Sequence, residues 1–115
     1  MCHDWAVMKL VKLAEVEHAA EGTFLARPLL EGRHSNVRII RLAAGQALPP
    51  HQHGESDLML YVAEGSGELD ADSGKVTFKV GDLAWYSGDE ELRVHNTGSG
   101  EMTLLAFLAP KFATG

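Results

Sequence analysis

The sequence has one cysteine, Cys2, in 115 residues. A lone thiol cannot close an intramolecular disulfide, so the fold has no covalent staple and a reducing, cytoplasmic setting is expected. Positive charge is also scarce. Ten Lys and Arg stand against sixteen Asp and Glu, for a formal charge of −6, and the basic residues are scattered. Binding to phosphates needs a basic patch, so neither nucleic acid nor an anionic membrane is an expected partner, and a small molecule or another protein is. Long hydrophobic runs are missing: the stretch from Trp5 to Val16 is interrupted by Lys9, Lys12 and Glu15 and is too short and too charged for a membrane span or a signal-peptide core. There is no Gly-rich phosphate loop, no Gly-x-Ser-x-Gly elbow, no internal repeat and no low-complexity tract, which leaves nucleotide-binding and hydrolase readings without support.

What is present is a succession of short apolar runs separated by turn residues. Residues 1–115 are expected to form one domain, with residues 1–20 as a lead-in, because a chain of this length can bury well over half of its unfolded surface in one core. The lead-in from Met8 to Val16 fits either an edge strand or a short helix. Beyond it, strands are expected at Thr23 to Leu30, Asn36 to Ala43, Leu48 to His53, Leu58 to Glu64, Gly67 to Ala71, Lys75 to Val80, Leu83 to Tyr86, Glu91 to Asn96 and Met102 to Ala109, punctuated by glycines where turns need positive φ. Asp72-Ser73-Gly74 reads as a tight hairpin, with Val76, Phe78 and Val80 on one buried face of its second strand. Many short antiparallel strands and no long helix describe an all-β jelly-roll barrel or sandwich, and such barrels enclose a pocket.

The chemistry-bearing segment runs from Gly45 through Pro49-Pro50-His51-Gln52-His53. Histidines at i and i+2 on an extended strand share a face, their Cα atoms roughly 6.5 Å apart, close enough to serve one metal. Arg38 is by default an exposed strand arginine; if it faces inward with Ile40 and Leu42, it could pair with a ligand carboxylate. Of the adjacent Trp85 and Tyr86 one must face inward, and alternation does not say which. Cys2, His3 and His18 read as exposed tail residues, His34 as part of a turn, and Gly88-Asp89-Glu90-Glu91 as a solvated acidic turn.

The segment from Asn36 to Pro110 resembles a small single-domain cupin of the RmlC-like superfamily. Gly45, His51, His53 and Gly65 fall on the first cupin motif, G-x5-H-x-H-x3-4-E-x6-G; Gly81 and Asn96 fall on the second, G-x5-P-x-G-x2-H-x3-N, with Asp82 completing a Gly-Asp turn common in the family. The resemblance implies a double-stranded β-helix, a jelly-roll barrel of two antiparallel sheets over residues 36–110, with a pocket between them lined by His51, His53, Leu58, Leu92 and Asn96. It also implies a divalent metal, zinc, nickel, iron or manganese, held by His51 and His53. Two of the four ligand positions depart from the pattern: the glutamate position is Leu58 and the second-motif histidine position is Leu92, while Ser87 and Asp89 replace that motif's proline and glycine. Asp57 is the candidate third ligand, though one residue off register and so on the opposite strand face; Glu55 and His95 are the other candidates, and His95 points away with Arg93 by alternation. With two donors missing the metal can be absent, and the reading is a small-molecule binding module, such as a metabolite sensor. The alternatives are a metal-dependent dioxygenase or isomerase using His51 and His53, or a metal-free isomerase or epimerase with a histidine base and Tyr86 or Tyr61 as acid. A fold this widely shared does not select a reaction. A homodimer is expected, because the run Leu104 to Ala109 is more apolar than one buried face requires.

Overall fold

A computed structural model describes residues 8–111. Nine strands form in chain order: β1 (Leu25–Glu31), β2 (Asn36–Leu42), β3 (Ala47–His51), β4 (Asp57–Glu64), β5 (Ser66–Ala71), β6 (Gly74–Lys79), β7 (Leu83–Tyr86), β8 (Leu92–His95) and β9 (Met102–Ala109). They make a five-stranded sheet, β1-β2-β9-β4-β7, and a four-stranded sheet, β3-β8-β5-β6, with every neighbouring pair antiparallel. All nine expected strands are present, most with ends displaced by a residue or two. Among the described residues no helix is long and apolar enough to cross a membrane.

The period-two alternation of each strand builds the core. Ile40 and Leu42 of β2, Leu58, Leu60 and Val62 of β4, Leu69 of β5, Leu92 and Val94 of β8, and Met102, Leu104 and Leu108 of β9 meet between the sheets. Each such side chain contributes roughly 1.5–3 kcal/mol of burial. Tyr86 faces this core and Trp85 faces out, which settles the pair that alternation left open. The chain passes from one sheet to the other at Gly65, where φ is +75° and an added Cβ would lie 2.8 Å from the Glu101 carbonyl oxygen and 2.9 Å from the Met102 Cα. Only glycine fits both constraints.

The hairpin turns at Asp72-Ser73, with Ala71 opposite Gly74. The buried face expected for β6 is a correction: Phe78 is buried, but Val76 and Val80 are 50% and 58% exposed. β6 is the terminal strand of the smaller sheet, and only Phe78, next to its last residue, is covered.

The lead-in is neither an edge strand nor a true helix. Among the described residues its regular structure is one 3-10 turn at Leu13–Glu15, and a bridge joins Ala20 to Thr23. Arg41 holds it in place. This side chain, 3% exposed, donates from Nη1 to the carbonyls of Val16 (2.7 Å) and Glu17 (2.9 Å), from Nη2 to that of Leu13 (3.0 Å) and from Nε to the Thr103 hydroxyl (3.1 Å). Glu101 adds a second tie, accepting from the Ala19 N–H at 2.8 Å and pairing with His18 at 2.7 Å. Burial alone would raise the Glu101 carboxyl, but these hydrogen bonds hold it below its ordinary value. His18 is therefore tethered, while Cys2 and His3 lie outside the described residues.

Candidate functional site

A cavity of about 300 Å³ opens between the sheets at the end of β3. Its walls are mostly apolar: Ala26 of β1, Ile40 of β2, Leu48, Pro49 and Pro50 of β3, and Ala106 of β9. Three side chains with basic nitrogen, Arg38, His51 and His53, reach it together with Gln52.

Local sequence explains how the histidines arrive there. β3 is the terminal strand of its sheet, and its pairing with β8 shifts between Leu48 and His51. Pro49 and Pro50 lie inside that gap. Proline has no N–H to give a ladder, so two in succession confine such a strand to a sheet edge and loosen its register. The strand ends at His51, short of the expected His53, and the chain reverses at Gly54 with φ +61°. His53 is fixed by its backbone instead: its N–H donates to the Gly88 carbonyl at 2.7 Å, and its carbonyl accepts from the Ser56 N–H at 3.2 Å. Gly88 can come this close because it has no side chain. A Cβ there would collide with the carbonyl oxygens of Ser56 and of Gly54, the latter at 2.6 Å.

The segment read as a solvated acidic turn is thus a brace. Besides Gly88, Asp89 accepts from the Gln52 side chain through its carbonyl at 2.9 Å, and the Glu90 carboxylate accepts from the Ser73 N–H at 2.5 Å. Sequence reasoning marked Gly88 only as a turn. The contact that makes it important joins segments far apart in the chain, and nothing local signals it.

The two imidazoles meet edge to face, with ring centroids 4.6 Å apart and planes at 77°. His51 is half-buried, and its Nδ1 lies 3.0 Å from the Pro49 carbonyl. A carbonyl only accepts, so this contact assigns the neutral ring's proton to Nδ1 and leaves Nε2 as an acceptor. His53 is buried, and its pKa is pushed down to about 4 by desolvation, then by the neighbouring His51 and the charge of Arg38. It is neutral at physiological pH. Burial also lowers Arg38 from its ordinary value, yet a guanidinium keeps its charge under such shifts. Arg38 therefore takes the inward position, and the default exposed reading does not hold.

The other expected pocket residues are placed elsewhere. Leu58 and Leu92 are 2% and 1% exposed within the apolar core and are not among the cavity-lining residues. Asn96, fully buried, acts as a latch: its Nδ2 donates to the carbonyls of Leu42 and Gly100, both at 2.8 Å, and its Oδ1 accepts from the Gly98 N–H at 2.9 Å. Tyr86 is buried in the core, and burial, then Glu90, raises its pKa; neither it nor Tyr61 lines the cavity.

The donor set does not fit the metal that the sequence resemblance implies. Asp57, the candidate third ligand, is exposed and lines a different hollow with Met59 and Phe107, on the outer side of the five-stranded sheet. Glu55 is exposed, and His95 lies with Arg93 on the outer side of the smaller sheet. Among the described residues no group of three or more His, Cys, Asp or Glu is placed to hold a metal ion. Two imidazoles are fewer protein ligands than stable zinc sites use, and the Arg38 charge beside them opposes a second cation.

Comparison with known proteins agrees with this architecture. The family model described as "Cupin domain" matches residues 38–108. An RmlC-like cupin protein from Desulfovibrio desulfuricans superposes with a TM-score of 0.80 at 25% identity, covering 91% of this chain and 99% of that one. TT1209 from Thermus thermophilus gives 0.81 at 21% identity over 90% and 99%. KdgF from a Halomonas species gives 0.77 at 15% identity over 90% and 94%. No curated protein sequence matches the chain significantly.

Proposed function

The chain belongs to the cupin domain family, matched over residues 38–108, and on that premise we propose that it is a binding module for a small organic molecule held in the cavity at the barrel mouth. One observation carries this reading: Arg38, His51, Gln52 and His53 converge on a mostly apolar cavity, and among the described residues no group of three or more His, Cys, Asp or Glu is placed to hold a metal ion. An apolar chamber with a few convergent polar groups is the usual form of a small-molecule site. Its volume of about 300 Å³ stands at the small end of the range for such sites. The single cysteine suits action in a reducing cytoplasm.

The test is a small-molecule screen read by amide chemical shifts. Hits should perturb Ala26, Leu48, Gln52 and Ala106, and the His51→Ala, His53→Ala double variant should lose them. Hits that cluster elsewhere would overturn the reading. Tight zinc or nickel binding by the untagged protein would favour the metal-dependent enzyme instead.

We also propose that a second copy of the chain covers the outer face of the five-stranded sheet. Met59 stands opposite both Trp85 and Phe107, and Leu83 continues the stripe beside Trp85. All four are exposed, Leu83 at 77% and Trp85 at 59%. Within the run from Leu104, the even-numbered residues face the core and Phe107 faces out into this stripe. The stripe ends on β7, the terminal strand of its sheet, so a two-fold partner could bury both the apolar side chains and the strand edge. Sedimentation should show a dimer at tens of micromolar that Trp85→Ser with Phe107→Ser converts to monomer; a monomeric wild type would refute it.

A further inference from the structure

We propose that the cavity ligand is a small phenol, its hydroxyl donating to Nε2 of His51 and its ring lying against the proline wall. This rests on the binding reading above and adds the chemical class of what is bound.

His51 is set as an acceptor before any ligand arrives. Its Nδ1 lies 3.0 Å from the Pro49 carbonyl, which can only accept, so the neutral ring carries its proton on Nδ1 and its lone pair on Nε2. The edge-to-face contact with His53, centroids 4.6 Å apart at 77°, steadies the ring further. Nε2 itself makes no hydrogen bond among the described residues. Nor is it sealed off: among those residues every fully buried side-chain nitrogen or oxygen has a partner, so a partnerless Nε2 on this half-buried residue must reach open space, and His51 lines the cavity. Arg38 and His53 are each engaged within the protein, and Gln52 is turned to the Asp89 carbonyl at 2.9 Å. The Nε2 lone pair is the point at which His51 can meet a ligand, and a lone pair calls for a donor. An acceptor fixed in place beforehand spares the ligand the cost of ordering it.

The walls select the body that carries this donor. Leu48, Pro49 and Pro50 form an apolar strip along β3, and Ile40 and Ala106 add to the lining. An apolar cavity of about 150 Å³ accepts benzene, so one of about 300 Å³ has room for a substituted ring. No Asp or Glu lines the cavity, so an ammonium donor would enter an apolar space without a counter-charge, which is costly. A neutral hydroxyl carries no such cost. Of the neutral hydroxyls, a phenol's is the more acidic and the better donor to an imidazole, and its flat ring offers a large apolar area to the strip.

The experiment titrates matched probes, phenol with benzonitrile and 4-methylphenol with 4-methylbenzonitrile, into the intact protein and locates them by amide shifts. Each pair shares a ring and a polar substituent, but only the phenol donates. The phenols should bind at least about fivefold more tightly, the fold-change of one ordinary net hydrogen bond. Nitrogen spectra of the His51 ring should show Nε2 shifting on phenol binding while the proton stays on Nδ1. His51→Phe should abolish the preference and His51→Gln, which keeps an acceptor, should retain part of it, with unchanged amide spectra outside the cavity as the check on folding. The wild-type comparison and the ring spectra do not depend on either variant folding. Equal binding of phenol and nitrile at the cavity would overturn the phenol inference and leave the binding reading intact. A ring proton found on Nε2, an Nε2 resonance that phenol leaves unmoved, or a preference that survives His51→Phe would overturn it too. If no probe of either class perturbs the cavity residues, both readings fall.

Discussion

Arg38 and Arg41 stand three residues apart on β2, and that odd spacing sends them to opposite faces of the strand. Arg38 enters a cavity, beside two imidazoles. Arg41 turns outward yet is the more deeply buried, because the lead-in lies over it and takes its hydrogen bonds on the carbonyls of Leu13, Val16 and Glu17. The same residue type on one strand thus does two jobs. One fastens a segment with little regular structure to the barrel; the other brings its guanidinium to the edge of the cavity. The surroundings tell them apart: a cage of backbone carbonyls and a hydroxyl around Arg41, the edge of an open apolar chamber at Arg38.

The hardest test of this contrast is Arg41→Met. Removing the guanidinium takes the Arg41 donor from the carbonyls of Val16 and Glu17 and leaves that of Leu13 only its turn bond from the Val16 N–H, and a loss of about 3 kcal/mol is expected. Arg38→Met should lose less than about 1 kcal/mol, as is usual for a side chain that borders open space rather than packed interior. Urea unfolding of the two variants measures both, and equal losses would end the distinction. In the Arg41 variant amide exchange should speed up across residues 13–20 before any change in the core strands.

A smaller loss, about 2 kcal/mol, is expected of Gly88→Ala, in the range of overpacked sites. Its Cβ would press on the Ser56 and Gly54 carbonyls and move the carbonyl that holds the His53 N–H. Thermal unfolding gives the loss. The His53 ring resonances should shift in this variant and stay put in Arg41→Met.

The smallest effect concerns pH. His53 titrates near 6.5 in the unfolded chain and near 4 in the fold. Between those values the unfolded chain binds a proton on this ring that the folded chain does not, so stability is fully present above about pH 6.5 and declines as pH falls toward 4. The ring borders an open cavity, so solvent screening limits the decline to on the order of 1–2 kcal/mol. Urea midpoints across this window should slope in the wild type and flatten in His53→Asn. Arg38→Met should raise the His53 pKa followed by NMR, because one of its depressing charges is gone; Arg41→Met should not.

Much of the architecture was legible in the sequence, and the reason is physical. Strand alternation and glycine punctuation are local, so the nine strands and the Asp72-Ser73 hairpin could be read residue by residue; His51 and His53 do meet, but the strand expected to carry both ends at His51 and His53 is held by the distant Gly88 carbonyl. What escaped depended on contacts distant in sequence. Arg41 carries no sequence mark of its role, which depends on the lead-in lying over it. Gly88 reads as a turn until its approach to Ser56 is seen. Val76 and Val80 alternate like core residues, and only the terminal position of β6 exposes them. Leu58 and Leu92 were placed by motif register in a pocket wall, whereas the structure packs them behind it in the core. Asn96 matched a motif position and acts as a latch.

Pro49 and Pro50, described above as a wall, also govern what can attach to the molecule. On a sheet's last strand, successive residues direct their amide positions alternately toward the neighbouring strand and toward open solvent. Two adjacent prolines therefore blank one position on each side. The inner blank coincides with the shift in pairing to β8; the outer one denies an incoming β-strand a hydrogen-bond donor at the margin beside the cavity. This margin resists templating by other chains, and the mouth stays accessible to small solutes while remaining a poor seed for cross-β growth.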